Sequence, residues 1–271
     1  MLDIIKEIVL TAAAERDVNH MMLSDNVSLT DMRNYRRTVD DVCCFQECGP
    51  GTNRVGGSPL PDLLSESYTE VCPEYADRNY TPVFYKAEKY NLMDCGYFLY
   101  EGHNDANSKS VTWAVLEDKE TLKKVLVAST HFWWMFRGEE DNLQRLQNVA
   151  QLKKFCDEKT AEYNIPIIIG GDFNNGLNAE QGDEPYKKML QEGFCDIRHI
   201  ADETTDVLTH HEYPVLNKEG IYVDGALPER ILDYIFTYGD VGIKTKSFEV
   251  LTTQKALDSS DHCPLLGVFE I

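Results

Sequence analysis

Apolar positions recur along this chain with two different periods. Ile5, Ile8, Val9 and Ala12 share one face at helical spacing, which predicts an amphipathic helix over residues 2–16. Leu143, Leu146, Val149, Ala150 and Phe155 do the same within DNLQRLQNVAQLKKFCDEK and predict a second helix over 141–159. Other apolar residues gather in short runs rich in β-branched and aromatic side chains: VDDVCCFQE, TPVFYKAEKY, SVTWAVLED, KKVLVASTHFWW, PIIIGGD, RILDYIFTYG, KSFEVLTT and LLGVFEI. Each predicts a strand, because such side chains pack well on a pleated, covered surface. Many strands alternating with two or three substantial helices predict helices laid over sheets, an α/β arrangement and not a pure β-sandwich. Residues 49–66 and 199–229 show neither period and are expected to be long loops, where function concentrates in compact domains. No internal repeat, low-complexity tract or Pro/Gly/Ser-rich linker divides the chain, so one domain is expected over 1–271.

Composition narrows the class. The 271 residues are 42% hydrophobic and 10% aromatic, enough for a substantial buried core. Forty-six acidic against 26 basic residues leave a formal charge of −20. Such a surface repels phosphate backbones at long range and disfavours an extended nucleic-acid footprint. A small anionic substrate remains compatible, provided that metal ions or local basic groups neutralise its site. No apolar run approaches the roughly 20 residues that a bilayer demands. The opening MLDIIKEIVL carries Asp3, Lys6 and Glu7 inside its apolar stretch, unlike a signal peptide. Cys43, Cys44, Cys48, Cys72, Cys95, Cys156, Cys195 and Cys263 form no CxxC pair and no regular framework, so reduced thiols and a cytoplasmic location are expected.

Candidate chemistry lies where the strands stop. IIIGGDFNN (residues 167–175) runs from three isoleucines into two glycines and then into Asp172, Asn174 and Asn175. Alone, it reads as a strand closed by an Asx turn. Four other strands behave alike, however. CCF ends in Gln46-Glu47 and LVAS in Thr130-His131, RIL leads into Asp233, and Ser259-Ser260-Asp261-His262 precedes the last strand. Each has an ordinary explanation: a turn cap for Glu47, a satisfied core histidine for His131, an arginine pair for Asp233, a helix cap for Asp261. Together they are better explained as one site, since an unpaired buried carboxylate is expensive.

The chemistry that suits this set is metal-assisted phosphoryl hydrolysis. Hard cations such as Mg²⁺ prefer carboxylate oxygens and retain water, which suits Glu47 and Asp261. Asp172 can take a proton from a water that Asn174 orients. His131 and His262 can donate to charge gathering on the phosphoryl oxygens, with Asp233 holding a histidine in place.

The set QE, TH, GDFN, LDYIF and SDHCP, in this order and spacing, resembles the endonuclease/exonuclease/phosphatase superfamily over roughly residues 40–271. That superfamily includes abasic-site endonucleases, DNase I, neutral sphingomyelinases and inositol polyphosphate 5-phosphatases. The resemblance implies a DNase I-like four-layered α/β/β/α sandwich, two mixed β-sheets flanked by helices. It implies Mg²⁺, with Mn²⁺ as an alternative, and hydrolysis of phosphate esters. By similarity, Glu47 and Asp261 match metal-side carboxylates, and His131 a phosphate-side histidine. Asp172 and Asn174 match the pair that activates and orients the nucleophile, and His262, oriented by Asp233, contacts the scissile phosphate. Tyr85 in VFYK and Arg145 on the helix after His131 sit where relatives carry a substrate-side tyrosine and arginine. One departure stands out: relatives open on a strand bearing an asparagine, whereas no strand–Asn pattern precedes Gln46 here.

The substrate is less determined. Trp133, Trp134 and Phe136 could stack on a base, sugar or lipid chain, or pack at the rim. The two long loops are not markedly basic, although His210 and His211 lie in the second. The expectation is therefore a small-molecule, sugar or lipid-headgroup phosphate ester. A nuclease of the same superfamily and a non-catalytic binding member are the alternatives. A glycosidase using Glu47 and Asp172 as paired carboxylates is a third, and nothing in the sequence favours it.

Overall fold

A computed structural model describes residues 12–14, 41–47, 54–55, 58–59, 64, 66–177, 183–205, 207–210, 230–239, 242–252 and 262–271. Its strands are β1 (Ala12–Ala14), β2 (Val42–Gln46), β3 (Arg54–Val55), β4 (Ser58–Pro59), β5 (Thr69–Glu70), β6 (Val83–Tyr85), β7 (Tyr90–Leu99) and β8 (Ser110–Asp118). They continue as β9 (Lys124–His131), β10 (Ile167–Leu177), β11 (Phe194–Asp196), β12 (Glu203–Thr204), β13 (Ile231–Tyr238), β14 (Lys244–Val250) and β15 (Leu265–Glu270). Two α-helices, α1 (Glu139–Tyr163) and α2 (Glu184–Gln191), complete the set of described elements with three 3₁₀ turns.

A six-stranded mixed sheet in the order β11-β13-β10-β9-β8-β7 forms the centre. One of its faces meets a second β layer, made of β1-β2-β6-β5 and β12-β14-β15. Between the layers pack Val42, Cys44, Val83, Ala114, Leu116, Val127, Ile168, Ile235, Phe248, Leu265 and Phe269. The opposite face carries α1 and α2 over Leu126, Ala128, Ile167, Ile169, Phe173, Tyr234 and Phe236. Side chains alternate between these two cores with the strand period of two. This is an α/β sandwich of the kind expected, and the described residues hold one helical layer and both β layers. No described helix is long and apolar enough to cross a membrane.

Two elements differ from expectation. Within the proposed helix 2–16, Ala12–Ala14 forms a strand that pairs parallel with β2, Ala12 opposite Cys44 and Ala14 opposite Gln46. Helical spacing in a short apolar run does not exclude a strand, and pairing on β2 decides it. A strand thus does precede Gln46 in the sheet, but it carries three alanines and no asparagine. The second helix is longer than expected, ending at Tyr163 with Asn164 in the left-handed conformation (φ 50°) that closes a helix. Its buried face includes Val149 and Phe155 but also Gln144, Arg145 and Asn148, while Leu143 is exposed. Those polar side chains serve loops. Gln144 Oε1 accepts from the His103 N–H at 2.8 Å, and Asn148 Oδ1 accepts from the Trp133 N–H at 3.1 Å.

Candidate active site

The site grows from strand register. β10 lies between β9, parallel, and β13, antiparallel, and Asp172 stands opposite His131 on one side and Asp233 on the other. Paired residues project from the same face, and this row faces the second β layer at the end where the apolar filling stops. Close approach is built in: a side chain on Gly171 would place its Cβ 2.2 Å from the Thr130 carbonyl oxygen. After Asp172 the register with β13 shifts, resuming at Leu177 opposite Ile231, so the intervening residues form a bulged stretch of β10. Asn174 sits on that stretch at φ 49°, a left-handed conformation that Asn tolerates better than most residues. The apolar run of IIIGGDFNN therefore ends in polar residues because the face of the strand that carries Asp172 runs past the inter-sheet apolar core there, while Phe173 on the other face stays in the helix-side core.

Asp172 is nearly enclosed, at 2% exposure. Its Oδ1 accepts from the Asn174 N–H at 2.8 Å and its Oδ2 from Asn174 Nδ2 at 3.1 Å. His131 Nε2 lies 3.3 Å from the same Oδ2. Burial opposes ionisation here, but the His131 hydrogen bond, the nearby His262 and His131 charges and the Asn174 backbone N–H outweigh it and hold the carboxyl well below its usual range. Asp233 behaves oppositely. Burial pushes its carboxyl up to about 6, against the attraction of His262 and with a further upward contribution from Asp172. His262 Nδ1 lies 2.9 Å from each Asp233 oxygen. Two adjacent buried carboxyls are thus shifted in opposite directions: Asp172 is drawn down by its donors and the neighbouring histidines, and Asp233 is raised by burial.

Glu47 reaches the site from the end of β2, where its own φ of 56° turns the chain out of the strand. Its Oε1 is 3.9 Å from His131 Nε2. Beside it the buried Gln46 donates from Nε2 to Ser129 Oγ at 2.9 Å, and Ser129 donates to the Phe45 carbonyl at 3.0 Å, joining the two β layers. Glu47, His131, Asp172, Asn174, Asp233 and His262 are therefore brought to one end of the sandwich. Asp261 lies outside the described residues, as does His211.

Three expected substrate residues are placed differently. Tyr85 is 6% exposed in the inter-sheet core and pairs with Val42, at the opposite end of β2 from Glu47. Trp133 is buried, and its Nε1 donates to Asp141 Oδ1 at 2.7 Å, so its ring packs on the start of α1 and offers no free stacking face. Arg145 is buried, with its guanidinium 4.3 Å over the Phe136 ring and one nitrogen donating to the Met135 carbonyl. Burial pulls its pKa down to about 10, partly opposed by Asp141. These two brace the loop after His131. Trp134, half-buried and donating to Asp105 Oδ2 at 2.9 Å, keeps a rim position.

Three residues outside the motifs join the site, of which only His210 had been singled out, as a histidine of the second long loop. Thr209 donates to Asp233 Oδ2 at 2.7 Å and accepts from the Leu232 and Asp233 N–H groups at 3.0 and 3.1 Å. His210 pairs with His262 across an isolated bridge, their rings 4.7 Å apart. Lys109 Nζ stands 3.1 Å from His131 Nε2. A sequence signal existed for the first two, since Thr209-His210 repeats the Thr130-His131 pair inside a loop already suspected of function.

The donor set suits a hard divalent cation. Asp172, Asp233 and His262 offer ligand atoms within 4.8 Å of one another, and Glu47 adds a partly exposed carboxylate beside them. Among the described residues the donors are carboxylate oxygens and one imidazole, with no thiolate, a set that a divalent cation can use.

No family model and no curated protein matches the sequence. Solved structures do match the fold. A mannosyl-6-phosphatase from Bacteroides thetaiotaomicron VPI-5482 superposes with a TM-score of 0.69 at 18% identity, covering 97% of this chain and 100% of that one. D. rerio TDP2, complexed with a single-strand DNA product, gives 0.64 at 14% identity over 98% and 100%. The human Nocturnin catalytic domain, with a bound sulfate anion, gives 0.58 at 20% over 99% and 96%. An endonuclease/exonuclease/phosphatase family protein from Bacteroides vulgatus gives 0.66 at 20% over 98% and 99%. The chain has the endonuclease/exonuclease/phosphatase fold, in agreement with the resemblance of its motifs.

Proposed function

We propose that this protein is a divalent-metal-dependent phosphoric ester hydrolase. The observation that carries the reading is the row His131–Asp172–Asp233, completed by His262 and Glu47, at one end of a sandwich with this fold. Asp172, held ionised and bonded to Asn174, accepts a proton from the attacking water, and the Asn174 amide fixes where that water sits. His262, oriented by Asp233, donates to a phosphoryl oxygen, and His131 does so from the opposite flank. Glu47, with Asp261, would hold Mg²⁺ or Mn²⁺ at the edge of the Asp172–Asp233–His262 cluster, whose own groups stay engaged with Asn174 and with one another. Bound there, the ion would acidify the water and neutralise phosphoryl charge, which matters because so weakly basic a carboxylate is a poor proton acceptor alone.

We take the substrate to be a small phosphate ester, a sugar, nucleotide or lipid-headgroup phosphate, in one cytoplasmic domain. The net charge of −20 supports this over an extended nucleic acid. Hydrolysis of p-nitrophenyl phosphate and bis-p-nitrophenyl phosphate with Mg²⁺, Mn²⁺ or EDTA, alongside Asp172→Asn, tests the reading. Metal-dependent release lost in the variant sustains it, and the better ester separates monoester from diester chemistry. Among the described residues no asparagine lies on a strand before Gln46, and this feature favours a second reading, a non-catalytic binding member. Absence of both turnover and divalent-metal binding by calorimetry would select it.

A further inference from the structure

Lys109 takes part in neither the motifs nor the reaction as proposed, yet it is only 2% exposed. Its Nζ lies 3.1 Å from Nε2 and 3.3 Å from Nδ1 of His131. Because these distances are nearly equal, the ammonium stands against the imidazole and not in line with one nitrogen's lone pair. The backbone of Lys109 is fixed on both sides. Its N–H donates to Asn104 Oδ1 at 2.9 Å, and its carbonyl accepts from Asn104 Nδ2 at 2.8 Å and from the Tyr100 N–H at 3.0 Å. The same Nε2 lies 3.3 Å from Asp172 Oδ2 and 3.9 Å from Glu47 Oε1. His131 thus has one cation and two carboxylates around it.

A lysine buried this deeply is expensive unless its charge is compensated. Asp105 feels the Lys109 charge, which is the largest influence drawing its carboxyl down against burial. Asp105 is exposed, however, and a lysine serving only that carboxylate could meet it in water. The Lys109 side chain turns inward instead, to the ring that touches Asp172 and Glu47.

We propose that Lys109 is a positioning residue for the site: its ammonium fixes the His131 ring and offsets the negative charge of Asp172 and Glu47. The proposal rests on the phosphoesterase reading above, and two consequences follow from it. Loss of the ammonium should impair turnover more than substrate capture, because His131 is left mis-set. Loss should also tighten divalent-cation binding, because the carboxylates then lack a competing positive charge. A lysine with a merely structural role would do the reverse, lowering metal affinity as the site loosens.

The test compares the full chain with Lys109→Met and Lys109→Arg, each checked for folding by thermal melting. Mg²⁺ binding is measured by calorimetry without substrate, and turnover with p-nitrophenyl phosphate. Lys109→Met is expected to tighten Mg²⁺ binding about 3- to 10-fold and to lower kcat about 10- to 100-fold with KM changed less than about threefold. Lys109→Arg is expected to recover most of the lost kcat. Unchanged or weaker Mg²⁺ binding by a folded Lys109→Met protein overturns the proposal, as does kcat within about twofold of wild type. If Lys109→Met does not fold, Lys109→Gln is judged by the same two readouts. If the wild-type chain hydrolyses neither nitrophenyl ester, the phosphoesterase reading is what fails. The Mg²⁺ measurement then decides Lys109 alone: tighter binding in the variant sustains the charge role, and equal binding or no heat in both proteins overturns it.

Discussion

The two faces of the central sheet are made by alternate residues of the same strands, and they have different fates. Toward the helices, Leu126 and Ala128 of β9, Ile167, Ile169 and Phe173 of β10, and Tyr234 and Phe236 of β13 stay in one aromatic-rich core to the last residue. Toward the second β layer, Val127, Ile168 and Ile235 are apolar, but farther along the same face come Ser129, His131, Asp172 and Asp233. The first face supplies stability without interruption. The second gives up apolar burial at one end, and the groups placed there are satisfied by one another and by Asn174, Thr209 and His262. A site of buried charge is tolerable there because the opposite face of each strand keeps packing.

Substitutions on either face test this division. The largest effect is expected from Asp172→Asn, which removes the proposed base and should lower kcat about 10³- to 10⁴-fold while the melting temperature changes little, as steady-state kinetics and calorimetry would show. One residue along, on the other face, Phe173→Ala should do the reverse. It empties a fully buried site among Phe132, Tyr234 and Phe236 and should cost about 3–5 kcal/mol in urea unfolding. A large activity loss at Phe173 without a stability loss would break the comparison.

Asp233→Asn should lower kcat about 10- to 100-fold, since His262 loses the carboxylate that orients it. The same variant sharpens the pH behaviour. Burial raises the Asp233 carboxyl to about 6 in the folded protein, above its unfolded value, so the ionised form that orients His262 exists above that pH and is lost below it. Wild-type kcat should therefore fall as pH drops through about 6, and Asp233→Asn should lack that limb. For stability the sign is opposite: the raised carboxyl favours the folded state more as pH falls from 7 toward the unfolded value. The smallest effect is expected from Tyr85→Phe, with kcat within about twofold of wild type, because the residue lies in the core at the remote end of β2. A tenfold loss would return Tyr85 to the substrate side.

Local pattern and tertiary placement can be separated residue by residue. Strand runs such as PIIIGGD and RILDYIFTYG became β10 and β13 because β-branched and aromatic runs of that length have few alternatives to a covered strand. Residues at the ends of such runs were legible as a site because charge rarely finishes a buried strand without a purpose. Ala12–Ala14 was misread because three alanines suit a helix at least as well, and only the partner strand decides. For Trp133 and Arg145, adjacency to His131 along the chain does not say which way a side chain turns. Trp133 bonds Asp141 at the start of α1, and Arg145 turns to Met135 and Phe136 in the loop before it.

By itself, then, the sequence determined the period of the long strands and of α1 and the placement of Glu47, His131, Asp172, Asp233 and His262 at or beside strand ends, since both follow from local side-chain chemistry. Tertiary structure alone decided that Asp172 lies between His131 and Asp233 and that Lys109 and Thr209 join them. It also decided that two neighbouring carboxylates take opposite protonation tendencies. The physical reason is that register, burial and long-range charge depend on distances between residues far apart in the chain, and a linear pattern does not encode those distances.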